Sequence, residues 1–338
     1  MSAPLSCIIG LSGKRLKKSE SLFLRDANPW GIILFARNVE DPDQLRRLTD
    51  DIRNAMGRNT LIFIDQEGGR VQRMRAPHWR AFPSGDDYAS LYRRNKELGL
   101  RACYLGHRLI ADDLRAVGIT SNCAPVLDLP QPGADPIISD RALGSSVEDI
   151  VDMAHAAMAG LMAGGVAPVI KHIPGHGRAT VDSHKALPKI RASRKILEHS
   201  DFLPFRKLSD APMAMTAHAV YTHNSRTAVT ISRKSLTELI RAAIGYDGLL
   251  MTDDLDMKAL TGDLTRKTQR ALKAGCDIAL QCSGNLADSV KVAKGCESLS
   301  GRSFGRASVA ESCTDYVTEF DRHYAEAEFD ELFAKIAA

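Results

Sequence analysis

"LIFIDQEGGRVQR", residues 61–73, is a short apolar run that ends abruptly in charged side chains and two glycines. A run of this kind, continuous in hydrophobicity and only a few residues long, is typical of a parallel β-strand covered on both faces. Asp65 stands at the end of the run, and Arg73 follows the glycines. The segment therefore predicts a buried strand with ionisable groups at its carboxyl end.

Seven further runs of this kind occur along the chain, each bounded by glycine or polar residues. They are CIIGL from Cys7, GIILF from Gly31, ITSNCAPVLDL from Ile119, VAPVIKH from Val166, APMAMTAH from Ala211, GLLMTDD from Gly248 and CDIALQC from Cys276. With the run from Leu61 they predict eight strands, and helical patterns separate them along the chain.

The helical patterns begin with recognisable signals. Asp41 is a predicted N-cap with Pro42 at the first helical position, and apolar residues recur on one helix face up to Met56. Two other helices are predicted to open with capping boxes, Ser145–Glu148 and Ser235–Glu238. Strands alternating with helices predict an α/β fold, a (β/α)₈ TIM-type barrel, with a doubly wound open sheet as the alternative. No GxGxxG motif follows the first strand, which weakens a dinucleotide-binding version of that alternative.

Length and composition limit the domain count. The chain has 338 residues, 44% of them hydrophobic, which suffices for one large domain or two modest ones. No Pro/Ser-rich linker divides it, so we predict a single catalytic barrel domain over residues 1–338. The barrel is expected over about residues 5–290, with extra C-terminal helices over about 291–338 packed on it.

Charge and cysteine usage exclude several classes of partner. The formal net charge is only +4 with acidic and basic residues interspersed, so we expect no nucleic-acid partner. The N-terminus does not read as a signal peptide, and no apolar run is long enough for a membrane span. Seven cysteines without a CxxC motif indicate free thiols. We therefore expect a cytoplasmic monomer without a membrane partner.

Ionisable side chains end several predicted strands. Lys171 and His172 end the fifth strand and begin "KHIPGHGRATVDSH", while Asp253 ends the seventh. In a barrel these ends meet with that of Asp65 at one mouth, where active sites form. Clustered charges cost desolvation free energy, so such a cluster favours a functional site over a structural one. His218 follows the sixth strand, and a hydrogen-bonded core histidine is the simpler interpretation of it.

A metal site is one alternative for the histidine-rich segment. His172 and His176 lie four residues apart, but Pro174 and Gly175 between them exclude a regular helix, on which this spacing is most indicative. Lys171 also places a cation beside the potential ligand. We therefore expect no metal, although a metal-dependent hydrolase on the same barrel stays open as an alternative.

Glycosidic-bond cleavage fits the other groups. Two carboxylate-bearing strand ends, at Asp65 and Asp253, would face one acid/base group, and such cleavage uses a carboxylate with a proton donor. Asp182 lies two residues before His184, so its carboxylate can hold the imidazole ring and fix its tautomer. A histidine with an ordinary pKa can give and take a proton near neutrality.

The chain resembles glycoside hydrolase family 3, specifically its bacterial β-N-acetylglucosaminidases of peptidoglycan recycling. The matching segments run in the family's order over about residues 30–285: ILFARN, DQEGGRVQR, APVLDL, DRALG, KHIPGHG, DSH and MTDDLDM. The resemblance implies a retaining hydrolase without metal or organic cofactor, with Asp253 as nucleophile and His184 as acid/base supported by Asp182. It implies that five residues bind the sugar: Asp65, Arg73, Arg141, Lys171 and His172.

The implied substrate is a small carbohydrate or muropeptide: terminal β-1,4-linked GlcNAc on GlcNAc-1,6-anhydro-MurNAc and its peptides. Gly175 and Gly177 are expected to act as hinges of a mobile loop that carries His184. Two features depart from the family: Arg178 stands where many relatives have an acidic residue, and no second α/β domain is expected. A non-catalytic sugar-binding barrel is the remaining alternative.

Overall fold

In the computed structural model, which describes residues 3–337, eight parallel strands close into a barrel. They are β1 Leu5–Gly10, β2 Pro29–Leu34, β3 Leu61–Ile64, β4 Ser121–Asn122, β5 Ala167–Ile173, β6 Met213–Thr216, β7 Leu249–Asp254 and β8 Ile278–Gln281. Each strand pairs with the next one along the chain, and β8 pairs with β1 to close the barrel. The predicted (β/α)₈ fold and all eight predicted strands are confirmed.

Helices surround the barrel. They are α1 Lys18–Ala27, α2 Pro42–Met56, α3 Gly85–Arg94, α4 Lys96–Ala116, α5 Val147–Ala163, α6 Arg194–Glu198, α7 Leu203–Lys207, α8 Arg233–Ser235 continuing as a π-helix over Leu236–Ile244, α9 Leu264–Ala274, α10 Leu286–Gly295, α11 Gly301–Ser312 and α12 Arg322–Ala337. Two short strand pairs lie outside the barrel, Gln66–Gly68 with Val71–Gln72 and Lys189–Ile190 with Val220–Tyr221. Helix α2 begins as predicted, since the Asp41 carboxylate accepts the N–H of Gln44 at 2.8 Å.

The two predicted capping boxes are wrong in position. Helix α5 is capped by Ser146, not Ser145, because the extended backbone of Ser146 directly precedes the first turn. Helix α8 is capped by Ser232, one turn before Ser235. The predicted Ser235–Glu238 box does not form, because the Ser235 N–H donates to the Ser232 hydroxyl at 3.3 Å. The Glu238 carboxylate instead accepts a side-chain N–H of Asn224 at 2.7 Å.

Strand alternation separates two layers of apolar packing. In β3, Leu61 and Phe63 belong to the cluster inside the barrel, while Ile62 and Ile64 belong to the cluster between strands and helices. Successive strand side chains point to opposite faces, so the interior receives every second residue. Any residue that continues the inward series past the strand end therefore faces the barrel mouth.

Helix α11 covers the amino-terminal end of the barrel. Its Ala307 and Ala310 join the interior apolar cluster, and its Glu311 accepts the indole N–H of Trp30 at 2.6 Å. The interior thus opens to solvent chiefly at the carboxyl ends of the strands, where sites form in this architecture.

The last helix packs on the outside of the barrel layer. Phe329 of α12 is buried, with its ring 6.3 Å from that of Tyr88 on α3. The seven cysteines are free thiols, as predicted, and Cys123 and Cys276 are buried. Among residues 3–337, no helix combines the length and the apolar character needed to cross a bilayer.

Candidate active site

A cavity of about 240 Å³ opens at the carboxyl ends of the strands. The structure brings all but one of the predicted site residues to its wall, and the remaining one, Asp182, lies behind His184. The residues on the wall are Asp65, Arg73, Arg141, Lys171, His172, His184 and Asp253.

Strand alternation explains why the key side chains face this cavity. Asp65 continues the inward series of Phe63, and Asp253 continues the inward series of Met251. Lys171, in β5, belongs to the same kind of inward series. The carboxyl ends of parallel strands meet at one end of the barrel, so these groups from three strands converge.

A network of alternating charges forms one side of the cavity. The Lys171 Nζ atom lies 2.9 Å from Asp65 Oδ1 and 2.5 Å from Glu67 Oε1. Arg73 donates to the other oxygen of Asp65 at 3.0 Å. Arg141 donates to Glu67 through two nitrogens, each at 2.8 Å. Each carboxylate therefore bridges two cations. Lys171 lies between Asp65 and Glu67, and Glu67 was not among the site residues predicted from the sequence.

The network residues are held in their charged forms. Burial alone would raise the pKa of Asp65, but Lys171 and Arg73 lower it well below its ordinary range. Burial acts against Glu67 in the same way, and Arg141 and Lys171 lower the pKa of Glu67 to about 2. Burial would lower the pKa of Lys171, but the two carboxylates raise it above its ordinary value. The cavity therefore presents fixed charges at neutral pH.

His172 is oriented by a carboxylate that sequence reasoning missed. Asp128 is fully buried and lies 2.6 Å from His172 Nδ1, and it also accepts the backbone N–H of His176 at 2.6 Å. The pairing of β5 with β6 slips between Lys171 and Ile173, so two successive residues of β5 reach the cavity. Asp128 is the last residue but one of the predicted fourth strand, so it lies where ionisable groups of the other strands indicated the site.

Asp253 is the ionised carboxylate opposite the network. Its Oδ1 accepts the backbone N–H of Asp254 at 2.8 Å. Burial alone would raise its pKa, but His218, His172 and that N–H lower it below its ordinary value. His218 itself is a fully buried, hydrogen-bonded core residue, with Nε2 donating to the carbonyl of Asp254 at 3.0 Å.

Asp254 also lines the cavity, although strict strand alternation would turn it away from Asp253. The pairing of β7 with β8 is irregular between Met251 and Asp254, which changes the direction of the last residue. One Asp254 oxygen accepts the N–H groups of Asp256 and Cys282, each at 3.1 Å. Burial, with the nearby carboxylates of Asp256 and Asp253, raises the pKa of Asp254 to about 7.

We predict that Asp254→Asn stabilises the protein above neutral pH. The pKa of Asp254 is higher in the folded state than its ordinary 3.8, so its favourable contribution is present below about pH 4 and is lost as pH rises through about 7. Asparagine cannot ionise, so the variant should gain roughly 2–4 kcal/mol relative to wild type at pH 8 and little at pH 4. Urea unfolding across this range measures the difference. Asp43→Asn, at an exposed carboxylate, is the control, and its difference in unfolding free energy from wild type should not change with pH. A difference for Asp254→Asn that is equally independent of pH would refute the prediction.

His184 and Asp182 form a separate pair at the edge of the cavity. Asp182 Oδ1 lies 2.9 Å from His184 Nδ1 and accepts the His184 backbone N–H at 2.8 Å. Burial opposes ionisation of Asp182, but these bonds lower its pKa below the ordinary value. The His184 side chain is 66% exposed. Because Nδ1 is engaged, Nε2 is the ring nitrogen available to a ligand.

The two glycines expected to be hinges are packed tightly instead. Gly177 lies against the backbone carbonyl of Leu129, so that even a Cβ atom would collide there. Gly175 has a φ of 128° and packs against Asp201. These glycines allow close approach of backbones, which argues against the hinge role predicted for them.

The histidines of the predicted loop are not grouped with other side chains into a metal-binding cluster. The rings of His172 and His176 lie 5.8 Å apart, and His172 is already bound to Asp128. Within residues 3–337, no group of three or more His, Cys, Asp or Glu side chains is arranged to hold a metal ion.

Comparison with known proteins identifies the family. Residues 7–304 match the Glycosyl hydrolase family 3 N terminal domain. The chain belongs to glycoside hydrolase family 3. Family-3 membership and similarity to β-hexosaminidases make it a glycoside hydrolase of the β-N-acetylhexosaminidase type.

Two of the family-3 relatives are β-hexosaminidases of bacteria. That of Alkalilimnicola ehrlichii is 39% identical over 280 residues, covering 82% of this chain and 80% of that protein. That of Bordetella pertussis is 36% identical over 290 residues, covering 84% and 82%.

Solved family-3 structures show the same architecture over nearly the whole chain. Native NagZ from Neisseria gonorrhoeae superposes with a TM-score of 0.85 at 28% identity, covering 98% of this chain and 97% of that one. A β-N-acetylglucosaminidase from Paenibacillus gives a TM-score of 0.86 at 26% identity, covering 97% of this chain but 66% of that longer protein.

Proposed function

We propose that this chain is a retaining β-N-acetylglucosaminidase of peptidoglycan recycling. Its substrate is the terminal, non-reducing β-1,4-linked GlcNAc of GlcNAc-1,6-anhydro-MurNAc and its peptides. The observation that carries the proposal is the presence, in one cavity, of an ionised Asp253, the exposed His184 with its Asp182 partner, and the charged network.

The charged network would bind the sugar. Carboxylates accept hydrogen bonds from ring hydroxyls, while guanidinium and ammonium groups donate to them, and both kinds alternate along one wall. Asp65, Arg73, Lys171 and Arg141 provide these groups, and His172 adds a ring nitrogen whose orientation Asp128 sets. Because these groups are already oriented, a bound sugar is held for reaction with little rearrangement.

In the first step, a carboxylate oxygen of Asp253 attacks the anomeric carbon as the bond to the leaving oxygen breaks. His184 donates its Nε2 proton to that oxygen, so the aglycone leaves as an alcohol. The product is a glycosyl ester of Asp253. Asp182, 2.9 Å from Nδ1, holds the ring in the orientation that directs Nε2 to the leaving oxygen.

In the second step, a water molecule attacks the anomeric carbon of the ester. His184, now neutral, accepts a proton from this water, and the carboxylate of Asp253 is released. Two displacements at one carbon retain its β-configuration. The enzyme returns to its starting protonation state without a metal or an organic cofactor.

In this proposal the catalytic domain spans residues 1–338, of which residues 1, 2 and 338 lie outside the described part of the structure. The packing of α12 on α3 and α4 supports its inclusion in the domain. The enzyme acts as a cytoplasmic monomer on a small carbohydrate or muropeptide. The seven free thiols agree with a reducing compartment.

The test is hydrolysis by the purified chain. We expect turnover of an aryl β-GlcNAc but not of the matching aryl β-glucoside, and release of GlcNAc from GlcNAc-1,6-anhydro-MurNAc detected by mass spectrometry. NMR of the first-formed sugar should show the β-anomer. Loss of activity with a chelator would favour the metal-dependent alternative, and no turnover of any GlcNAc substrate would favour a non-catalytic binding protein.

A further inference from the structure

The segment that carries Asp182 and His184 is fastened at its far end by strand pairing. The short strand Lys189–Ile190 pairs in parallel with Val220–Tyr221, outside the barrel. Just before it, the carbonyl of Pro188 accepts the N–H of Val220 at 2.9 Å. Between its ends the segment is also held at Ser183, which is buried and whose carbonyl accepts the N–H of Ala259 at 3.2 Å. The position of His184 therefore depends on this contact and on how the near end of the segment, after β5, is held.

Arg178 holds that near end through the region after α6. Its Nε donates to Asp201 Oδ2 at 2.8 Å, and its Nη2 donates to the hydroxyl of Ser200 at 3.2 Å. The Ser200 hydroxyl donates to the same Asp201 oxygen at 2.7 Å. The Asp201 side chain is fully buried, and that of Arg178 is only 24% exposed. A buried carboxylate is costly without a cation, so this pair holds Arg178 firmly.

The chain leaves the protein interior directly after this anchor. Ala179 is buried, and its carbonyl accepts the N–H of Asp135 at 2.7 Å. The next two residues, 180–181, are exposed. The pair Asp182–His184 begins immediately beyond them, so the anchor at Arg178 sets the starting point of the exposed segment.

We propose that Arg178 is a positioning residue for proton transfer, acting through its ion pair with Asp201 on the segment that bears Asp182 and His184. This inference rests on the proposed function, in which His184 protonates the leaving oxygen. A proton donor acts only within hydrogen-bond reach of its acceptor, and a misplacement of about 1 Å can lower the rate about 10²-fold. Arg178 does not line the cavity, so its influence on the reaction is indirect.

The test compares kcat/KM for two β-GlcNAc substrates, one with an activated aryl leaving group and one with an unactivated alkyl leaving group. In Arg178→Met, we expect kcat/KM for the unactivated substrate to fall about tenfold more than kcat/KM for the activated one, because only the unactivated leaving group depends on protonation. Arg178→Lys keeps a cation beside Asp201 and should recover most of this selective loss. A structural defect alone would lower kcat/KM equally for both substrates.

Arg178→Met leaves Asp201 as an unpaired buried charge and could unfold the chain. The double variant Arg178→Met/Asp201→Asn removes both charges, and we expect it to fold, as checked by circular dichroism, and to show the same selective loss. Arg194→Met is the matched control, because it removes an exposed ion pair with Glu198 on neighbouring α6 and should alter neither rate.

The outcomes separate this inference from the function on which it rests. Equal losses for both substrates, or no loss, in the folded double variant would overturn the role of Arg178. A His184→Ala enzyme is measured with the same substrates. If that enzyme showed no leaving-group dependence, the proposed role of His184 would fail whatever Arg178 does.

Discussion

Asp253→Asn will lower turnover of GlcNAc substrates on the order of 10⁴-fold or more, the scale seen when a group that acts within a catalytic unit is removed. An amide cannot form the glycosyl ester, while Asp253→Asn keeps the acceptor oxygen for the Asp254 N–H. A fluorinated sugar that forms the ester quickly and releases it slowly should add one sugar mass to the wild-type chain. Peptide mapping should find this mass on Asp253, and Asp253→Asn should remain unlabelled.

The neighbouring carboxylates make this assignment open to contradiction. Asp254 lines the same cavity, and Asp256 is two residues further along. Asp254→Asn is therefore the matched control and should still be labelled on Asp253. Label on either neighbour would mean that the wrong carboxylate was chosen. An unlabelled wild type that is potently inhibited by a thiazoline would instead indicate attack by the substrate's own acetamide.

His184→Ala will slow substrates with poor leaving groups by roughly 10²–10⁴-fold, the usual contribution of general acid/base catalysis. Substrates with activated aryl groups should keep most of their kcat/KM, since their first step needs little protonation. For these substrates the ester of Asp253 should accumulate, because its hydrolysis also uses His184 as a base. Kinetics with a series of aryl leaving groups, with a burst measurement, would reveal both effects.

Asp182→Asn serves as the companion variant of His184→Ala. The amide can still accept the His184 N–H but no longer stabilises a charged imidazole. The decreases in kcat/KM for Asp182→Asn should therefore follow the same leaving-group trend as those for His184→Ala, but should be smaller. An Asp182→Asn enzyme with wild-type kinetics would mean that the pair seen at 2.9 Å has no role in proton transfer.

The barrel could be predicted because its signal is local and repeated. Each strand is a short apolar run such as residues 61–64, and alternation along it determines which side chains enter the barrel. Helix α2 was predictable since its cap, Asp41, immediately precedes Pro42. The caps of α5 and α8 were misplaced because several serines stand near each helix start, and the backbone conformation that selects one of them leaves no trace in residue type.

The site was predictable where a side chain follows strand alternation, as Asp65, Lys171 and Asp253 do. Alternation does not predict the position of Asp254, because irregular pairing of β7 with β8 turns this second carboxylate toward the cavity. Asp128 was missed although it is the last residue but one of a predicted strand. Its partner His172 is not adjacent in sequence, and only the folded chain shows that the two meet at 2.6 Å.

The network of Arg73, Asp65, Lys171, Glu67 and Arg141 also limits how the site could change over generations. Each carboxylate is shared by two cations, so it keeps one partner when a single cation is lost. Loss of Asp65 or Glu67, in contrast, leaves Arg73 or Arg141 without its carboxylate in a poorly hydrated place. Added salt relieves such an imbalance little, because mobile ions screen buried charges weakly. Replacement of either carboxylate therefore requires a matching change at its arginine, so Asp65 with Arg73 and Glu67 with Arg141 each behave as an inherited pair.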